Sequence, residues 1–134
     1  MKKALLAAAV MGAGIAISWI AVAGVKSNIV VSITDVSGIG VRAEGSLADT
    51  RNTTDSVKQI YCTITGDRDP VTPPSATCFA NDGSRSVTCQ TTSAELISVI
   101  TSLSGDSYLR FDSGSGTCNR VMVGNGSDLR PKTL

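Results

Sequence analysis

Residues 76–90 read Ala76-Thr77-Cys78-Phe79-Ala80-Asn81-Asp82-Gly83-Ser84-Arg85-Ser86-Val87-Thr88-Cys89-Gln90. Ala76 to Asn81 and Arg85 to Gln90 flank Asp82-Gly83, a dipeptide that readily supplies positive φ in a tight turn, so the stretch reads as a β-hairpin. Cys78 and Ala80 share one strand face, and so do Val87 and Cys89.

The segments on either side extend this pattern. Upstream, Lys58 to Thr65 puts Ile60, Cys62 and Ile64 on one face and Tyr61 and Thr63 on the other, a clear strand. Gly66 to Ser75, carrying Pro70, Pro73 and Pro74, is a surface loop that cannot pair in a ladder. Further back, Asn28 to Thr34 is a β-branched first strand, and Val41 to Thr50 is a second whose central Gly45 signals a bulge or a close backbone approach. Asn52 to Ser56 is a polar turn. Downstream, Thr92 and Glu95 have the spacing of a capping box, and Leu96, Ile97, Ile100 and Leu103 form one apolar stripe, which predicts a helix closed by Gly105. Tyr108 to Asp112 and Thr117 to Val123 then form a second hairpin across Ser113-Gly114-Ser115-Gly116. Gly124 to Leu134 has Gly, Pro and no apolar period, and its end is expected to fray. The expected fold is α+β, a small antiparallel sheet of about six strands with one helix packed on it and stapled by disulfides. An all-β sandwich with a peripheral helix is the alternative.

Met1-Lys2-Lys3 followed by an uncharged run from Ala4 to Val25 has the form of a secretory signal peptide, with Ala21-Val22-Ala23 placing the cut before Gly24. The competing reading is an uncleaved anchor, since about 20 apolar residues can span a bilayer. Removing residues 1–23 of 134 leaves 111, read as a single β-rich exported domain at 24–134. Ten scattered basic residues then face 11 acidic ones, a near-neutral balance that argues against a nucleic-acid partner. Contact with a membrane is expected only through the N-terminal segment, if it is kept.

Cys62, Cys78, Cys89 and Cys118 are an even set in a short exported chain and read as two disulfides. A zinc site would bring its ligands in close pairs, whereas here the nearest two are eleven positions apart. Three connectivities are open. Matching half-apolar faces favour tying the Cys62 strand to the hairpin, with Cys118 joining the remaining hairpin cysteine.

Histidine is absent, which removes Ser-His-Asp and Cys-His catalysis and histidine-based metal sites. Among the acidic residues, Asp67 and Asp69 in the proline loop and Glu44 and Asp49 on one strand read as solvated surface charge. Asp67-Arg68-Asp69 and Asp112-Ser113-Gly114-Ser115-Gly116 lack the pattern of a calcium loop and read as turns. Asn52-Thr53-Thr54 and Asn125-Gly126-Ser127 are sequons in loops, without meaning in a bacterial host. Lys26 to Ser32 could serve as a donor strand, but reads first as an ordinary strand of the sheet. Tyr61 and Phe79 lie on the face opposite the cysteines and are too few for a ring-lined carbohydrate platform.

At Gly45-Ser46-Leu47-Ala48-Asp49-Thr50-Arg51-Asn52, Cys78-Phe79-Ala80-Asn81-Asp82-Gly83 and Gly116-Thr117-Cys118, the chain resembles small exported bacterial proteins of no assigned activity. The resemblance implies a bacterial protein of the periplasm or extracellular space, and it carries over no functional residue. Asp49, Arg51 and Asn52 are the polar cluster it highlights, read physically as a strand end whose Asp and Arg pair at the surface. The expected function is a non-enzymatic binding or structural module of the envelope or extracellular space, with an unidentified protein or envelope component as partner and no cofactor. A carboxylate-based hydrolase, assisted by calcium, is the alternative.

Overall fold

The computed structural model describes residues 26–69 and 71–133; the expected signal peptide and the expected cut before Gly24 lie outside them. The strands are β1 (Ser32–Val36), β2 (Gly40–Ser46), β3 (Gln59–Thr65), β4 (Ser75–Asn81), β5 (Ser86–Thr91), β6 (Tyr108–Gly114) and β7 (Thr117–Gly124). Two short helices, α1 (Leu47–Arg51) and α2 (Ala94–Ile100), complete the described elements. All seven strands join one sheet in the order β1-β2-β6-β7-β5-β4-β3. The chain is β-rich and disulfide-stapled as expected, but the sheet has seven strands instead of six, is mixed, and is accompanied by two helices instead of one. The mixed character arises where β7 returns from β6 and lies parallel to β5, a seam with the single register pair Gln90↔Thr117. The Gln90 amide donates to Gly116 O at 2.9 Å across it.

The hairpins form where the turn chemistry demands. Asp82 Oδ1 accepts from the Ser84 and Arg85 amides at 2.8 and 3.0 Å, and Gly83 takes φ 94° between β4 and β5. The β6–β7 turn is tighter than the four residues expected. Ser115 at φ 50° and Gly116 at φ 81° make a two-residue turn whose positive φ values match the strand twist.

Two boundaries move for reasons that lie in side chains. The strand expected over Val41 to Thr50 stops at Ser46, whose hydroxyl accepts from the Asp49 amide at 3.2 Å and starts α1. In the segment Asn28 to Thr34, ladder pairing begins only at Ser32, because the Ile29 and Val31 amides are taken by side chains of α1. Gly45 is the close approach and not the bulge: a Cβ there would lie 2.8 Å from Val31 Cα. The register shift in the sheet falls at Asp112/Ser113 of β6.

The helix α2 is capped one residue later than the capping box implied. Ser93 Oγ accepts from the Leu96 amide at 3.3 Å and donates to Glu95 Oε2 at 2.7 Å, while the Ser93 amide is held by Thr91 Oγ1 at the end of β5. At its other end Gly105 is not the cap; the Thr101 and Ser102 hydroxyls donate to the Ser98 and Val99 carbonyls. The stripe reading holds, since Ile97 and Ile100 are buried in the core.

One sheet face forms that core. Ile33, Ala43, Ile60, Ala76, Cys78, Ala80, Cys89, Leu109, Phe111, Cys118 and Val121 cluster there with Val31, Ile97 and Ile100. Phe111 and Leu109 are fully buried, each contributing about 1.5–3 kcal/mol over an exposed position. The disulfides are Cys62–Cys78 and Cys89–Cys118, which tie the Cys62 strand and Cys118 to the hairpin as expected and decide which hairpin cysteine each takes. They fit an oxidising location. Among the described residues no helix is long and apolar enough to cross a membrane.

The tail departs from expectation. Its described part docks on the domain: Ser27 bridges Leu129, the Lys132 amide donates to Asp106 Oδ1 at 3.1 Å, and the Thr133 amide to Asn52 Oδ1 at 2.9 Å. Polar partners secure it where no apolar period exists.

Candidate functional site

The residues highlighted in sequence converge on α1, though not as a surface ion pair at a strand end. Asp49 is buried, 4% exposed, and its carboxylate accepts from the Ile29 amide at 2.9 Å. Next to it, Thr50 Oγ1 accepts from the Val31 amide at 3.1 Å, and the Ser46 amide donates to Ile29 O at 2.7 Å. Arg51 points away, exposed, and no ion pair joins it to Asp49. Asn52 holds the tail, donating to Pro131 O and accepting from Thr133. The physical reason is the helix itself, which turns Asp49 inward toward the unpaired amides of the first segment.

Asp49 and Asn52 line a polar hollow of about 390 Å³ with Asn28, Asp55, Lys58 and Arg130. Asp55 accepts from the Val57 and Lys58 amides at 3.0 and 2.8 Å and pairs with Lys58 Nζ at 3.1 Å. The Lys58 amide, ahead of its ammonium, holds this carboxyl below the ordinary range. Two carboxylates thus share a hollow, yet each is already an acceptor for backbone amides.

The remaining acidic candidates also serve their own backbone or a neighbour. Asp67 accepts from the Asp69 amide and Asp69 from the Val71 amide, in an exposed turn. Glu44 lies on the outer sheet face, where it accepts from the Tyr108 hydroxyl at 2.8 Å. Burial first, then this bond, pushes the Tyr108 hydroxyl up to about 12. Asp112, 1% exposed, receives Arg42 in a two-pronged contact at 2.7 and 3.2 Å, with Arg110 Nε 3.7 Å away. Arg42 is the main cause of the lowered Asp112 carboxyl, opposed by burial. This cluster was not singled out in sequence, although Arg42-x-Glu44 and Arg110-x-Asp112 repeat with the strand period and sit opposite each other in the β2–β6 register. Among the described residues, the one group of three or more metal-type ligands whose atoms converge is Cys78, Cys89 and Cys118, all in disulfides.

The two edges of the sheet are finished differently. At the β1 edge, side chains cover part of the backbone. Asp49 and Thr50 take the Ile29 and Val31 amides just ahead of β1, and within it Arg85 donates to Ile33 O at 2.7 Å and pairs with the Asp35 carboxylate at 2.9 Å. At the other edge, Cys62 and Cys78 face each other with Cα atoms 4.0 Å apart, the close spacing of a non-hydrogen-bonded pair. By alternation, Ile60, Cys62 and Ile64 point their N–H and C=O groups away from β4. Tyr61 and Ile64 are each 42% exposed along this edge, and Tyr61 is braced by Phe79 with ring centroids 5.5 Å apart.

Compared with protein-family models, curated proteins and solved structures, the chain finds no match.

Proposed function

We propose that the protein is a non-enzymatic binding or structural module exported to the periplasm or the extracellular space of a bacterium, and that it accepts an extended segment of a partner protein along β3. The observation that carries this reading is the contrast between the edges. Side chains take Ile33 O of β1 and the Ile29 and Val31 amides just ahead of it, whereas β3 presents the outward backbone groups of Cys62 and Ile64 beside exposed Tyr61 and Ile64. An uncharged, partly apolar strand with free ladder groups is the template for strand addition, in which main-chain bonds supply affinity and alternate side chains supply selectivity. The two carboxylates that share the polar hollow, Asp49 and Asp55, are both committed to backbone amides, which speaks against a carboxylate-based hydrolase there.

The test uses a photo-crosslinking residue at Thr63 in the intact envelope of producing cells, with Thr34 of β1 as the control position. A discrete crosslinked product at Thr63, absent at Thr34 and lost on Ile64→Pro, is the expected result. That proline removes only an outward N–H and leaves the β3–β4 ladder intact. No product at Thr63, or one indifferent to the proline, overturns the reading.

A further inference from the structure

The two disulfides are neighbours. β3, β4, β5 and β7 are consecutive in the sheet and contribute Cys62, Cys78, Cys89 and Cys118 in that order. The ladders place Cys62 opposite Cys78 and Cys78 opposite Cys89. The sulfurs of Cys78, Cys89 and Cys118 all lie within 4.8 Å of one another. Access differs sharply along the row: Cys62 is half-buried on the edge strand, while Cys78, Cys89 and Cys118 are 0%, 0% and 4% exposed.

We propose that the four cysteines form an intramolecular thiol–disulfide exchange chain, in which an external dithiol acts at Cys62 and the exchange passes along the row, leaving thiols at Cys62 and Cys118 around a new Cys78–Cys89 bond. In the first step a thiolate of the external dithiol attacks Cys62 Sγ. A mixed disulfide forms, the Cys62–Cys78 bond breaks, and Cys78 leaves as a thiolate with the bonding electron pair. That thiolate is released inside the core beside the second bridge. It attacks Cys89 Sγ, the Cys78–Cys89 bond forms, the Cys89–Cys118 bond breaks, and Cys118 leaves as a thiolate that takes a proton from water. The second thiol of the external reagent then resolves the mixed disulfide, leaving Cys62 as a thiol and the reagent as its own disulfide. The balance is one protein disulfide reduced and one external dithiol oxidised.

The backbone supports the new bond. Because the Cys62↔Cys78 pair is non-hydrogen-bonded, Cys78↔Cys89 is by alternation a hydrogen-bonded pair, with Cα atoms about 5.5 Å apart. This falls within the span of about 4.4–6.8 Å that disulfides occupy. The consequence is structural as well as chemical. Cys89–Cys118 is the covalent tie across the β5–β7 seam, so reduction entering at half-buried Cys62 would loosen the buried junction on the far side of β5.

The test is disulfide mapping of the folded domain. A Cys62→Ser variant leaves Cys78 with a free thiol next to an intact Cys89–Cys118 bridge. After incubation at mildly alkaline pH, acid quenching, alkylation and non-reducing digestion, part of the Cys89–Cys118 peptide should be lost in favour of Cys78 linked to Cys89, with Cys118 alkylated. Recovery of Cys89–Cys118 alone, with Cys78 alkylated, overturns the proposal. Wild-type protein treated with sub-stoichiometric dithiothreitol guards against a variant that fails to fold. There the expected product carries alkylated Cys62 and Cys118 around a Cys78–Cys89 bridge, and a product alkylated only at Cys62 and Cys78 overturns the proposal.

Discussion

At the scale of single residues, the buried acidic side chains of this protein serve as supports for the backbone and for arginine. Asp112 is the clearest case, since Arg42 and Arg110 converge on it while it is 1% exposed. Asp112→Asn would leave two half-buried cations without their anion, at a cost of about 3 kcal/mol, measured as a shift of the denaturation midpoint. The pH dependence has a definite sign. The folded carboxyl is held below its unfolded value by Arg42, so its contribution is complete above about pH 3.9 and is lost as pH falls through the lower folded value. The wild type should therefore lose stability more steeply than Asp112→Asn as pH drops below about 4. A second residue-scale prediction separates the two candidate caps of α2. Ser93→Ala should cost about 0.5–2 kcal/mol, because it removes the acceptor of the Leu96 amide, and Thr92→Ala should leave the midpoint nearly unchanged. The sequence located this helix and its apolar stripe. It misplaced the cap by one residue, because Thr92 and Ser93 have equivalent chemistry and only the exit direction of β5 decides between them.

At the scale of elements, the β1–β2 pair depends on a glycine and on α1. A Cβ at position 45 would meet Val31 Cα at 2.8 Å and Val31 N at 2.9 Å, backbone atoms that cannot yield as a flexible side chain would. Gly45→Ala should destabilise the domain by about 1–3 kcal/mol, with hydrogen exchange at the Ile29 and Val31 amides accelerated before that of β4. Gly45 was legible as a place of close approach, but the helix that follows it was not. Leu47 to Arg51 is five residues long, too short to show a helical period, and its Asp49 and Thr50 take their roles from a segment some 20 positions earlier. The hairpins β4–β5 and β6–β7, by contrast, were legible because Asp82-Gly83 and Ser115-Gly116 encode their turns locally.

At the scale of the molecule, the β5–β7 seam is where two sub-sheets meet. One holds β1, β2, β6 and β7, the other β5, β4 and β3; at the seam itself lie a single register pair and the Cys89–Cys118 bridge, and Arg85 reaches across from the β5 side to Ile33 O and Asp35 of β1. The separations closed by the bridges, 16 and 29 residues, give similar unfolded-chain effects of about 3–4 kcal/mol each. The native contexts differ. Cys62–Cys78 staples a ladder of seven register pairs that persists without it, whereas Cys89–Cys118 secures a seam with one. Replacing both Cys89 and Cys118 with Ala should therefore lower the thermal midpoint more than the same change at Cys62 and Cys78.

The amino-acid sequence by itself determined the strand-rich class, the two hairpins, the apolar stripe of α2 and the placement of four cysteines on strands. Each of these is a local property, written in periods of two or about 3.6 residues and in the φ demands of short turns. Only the tertiary structure decided that Asp49 faces inward, that the tail docks through Asn52 and Asp106, that β5 and β7 run side by side in parallel, and that the two disulfides lie within exchange distance. Those features join residues far apart in the chain through hydrogen bonds and one covalent bond, and no periodicity within a segment registers a partner that only folding brings alongside.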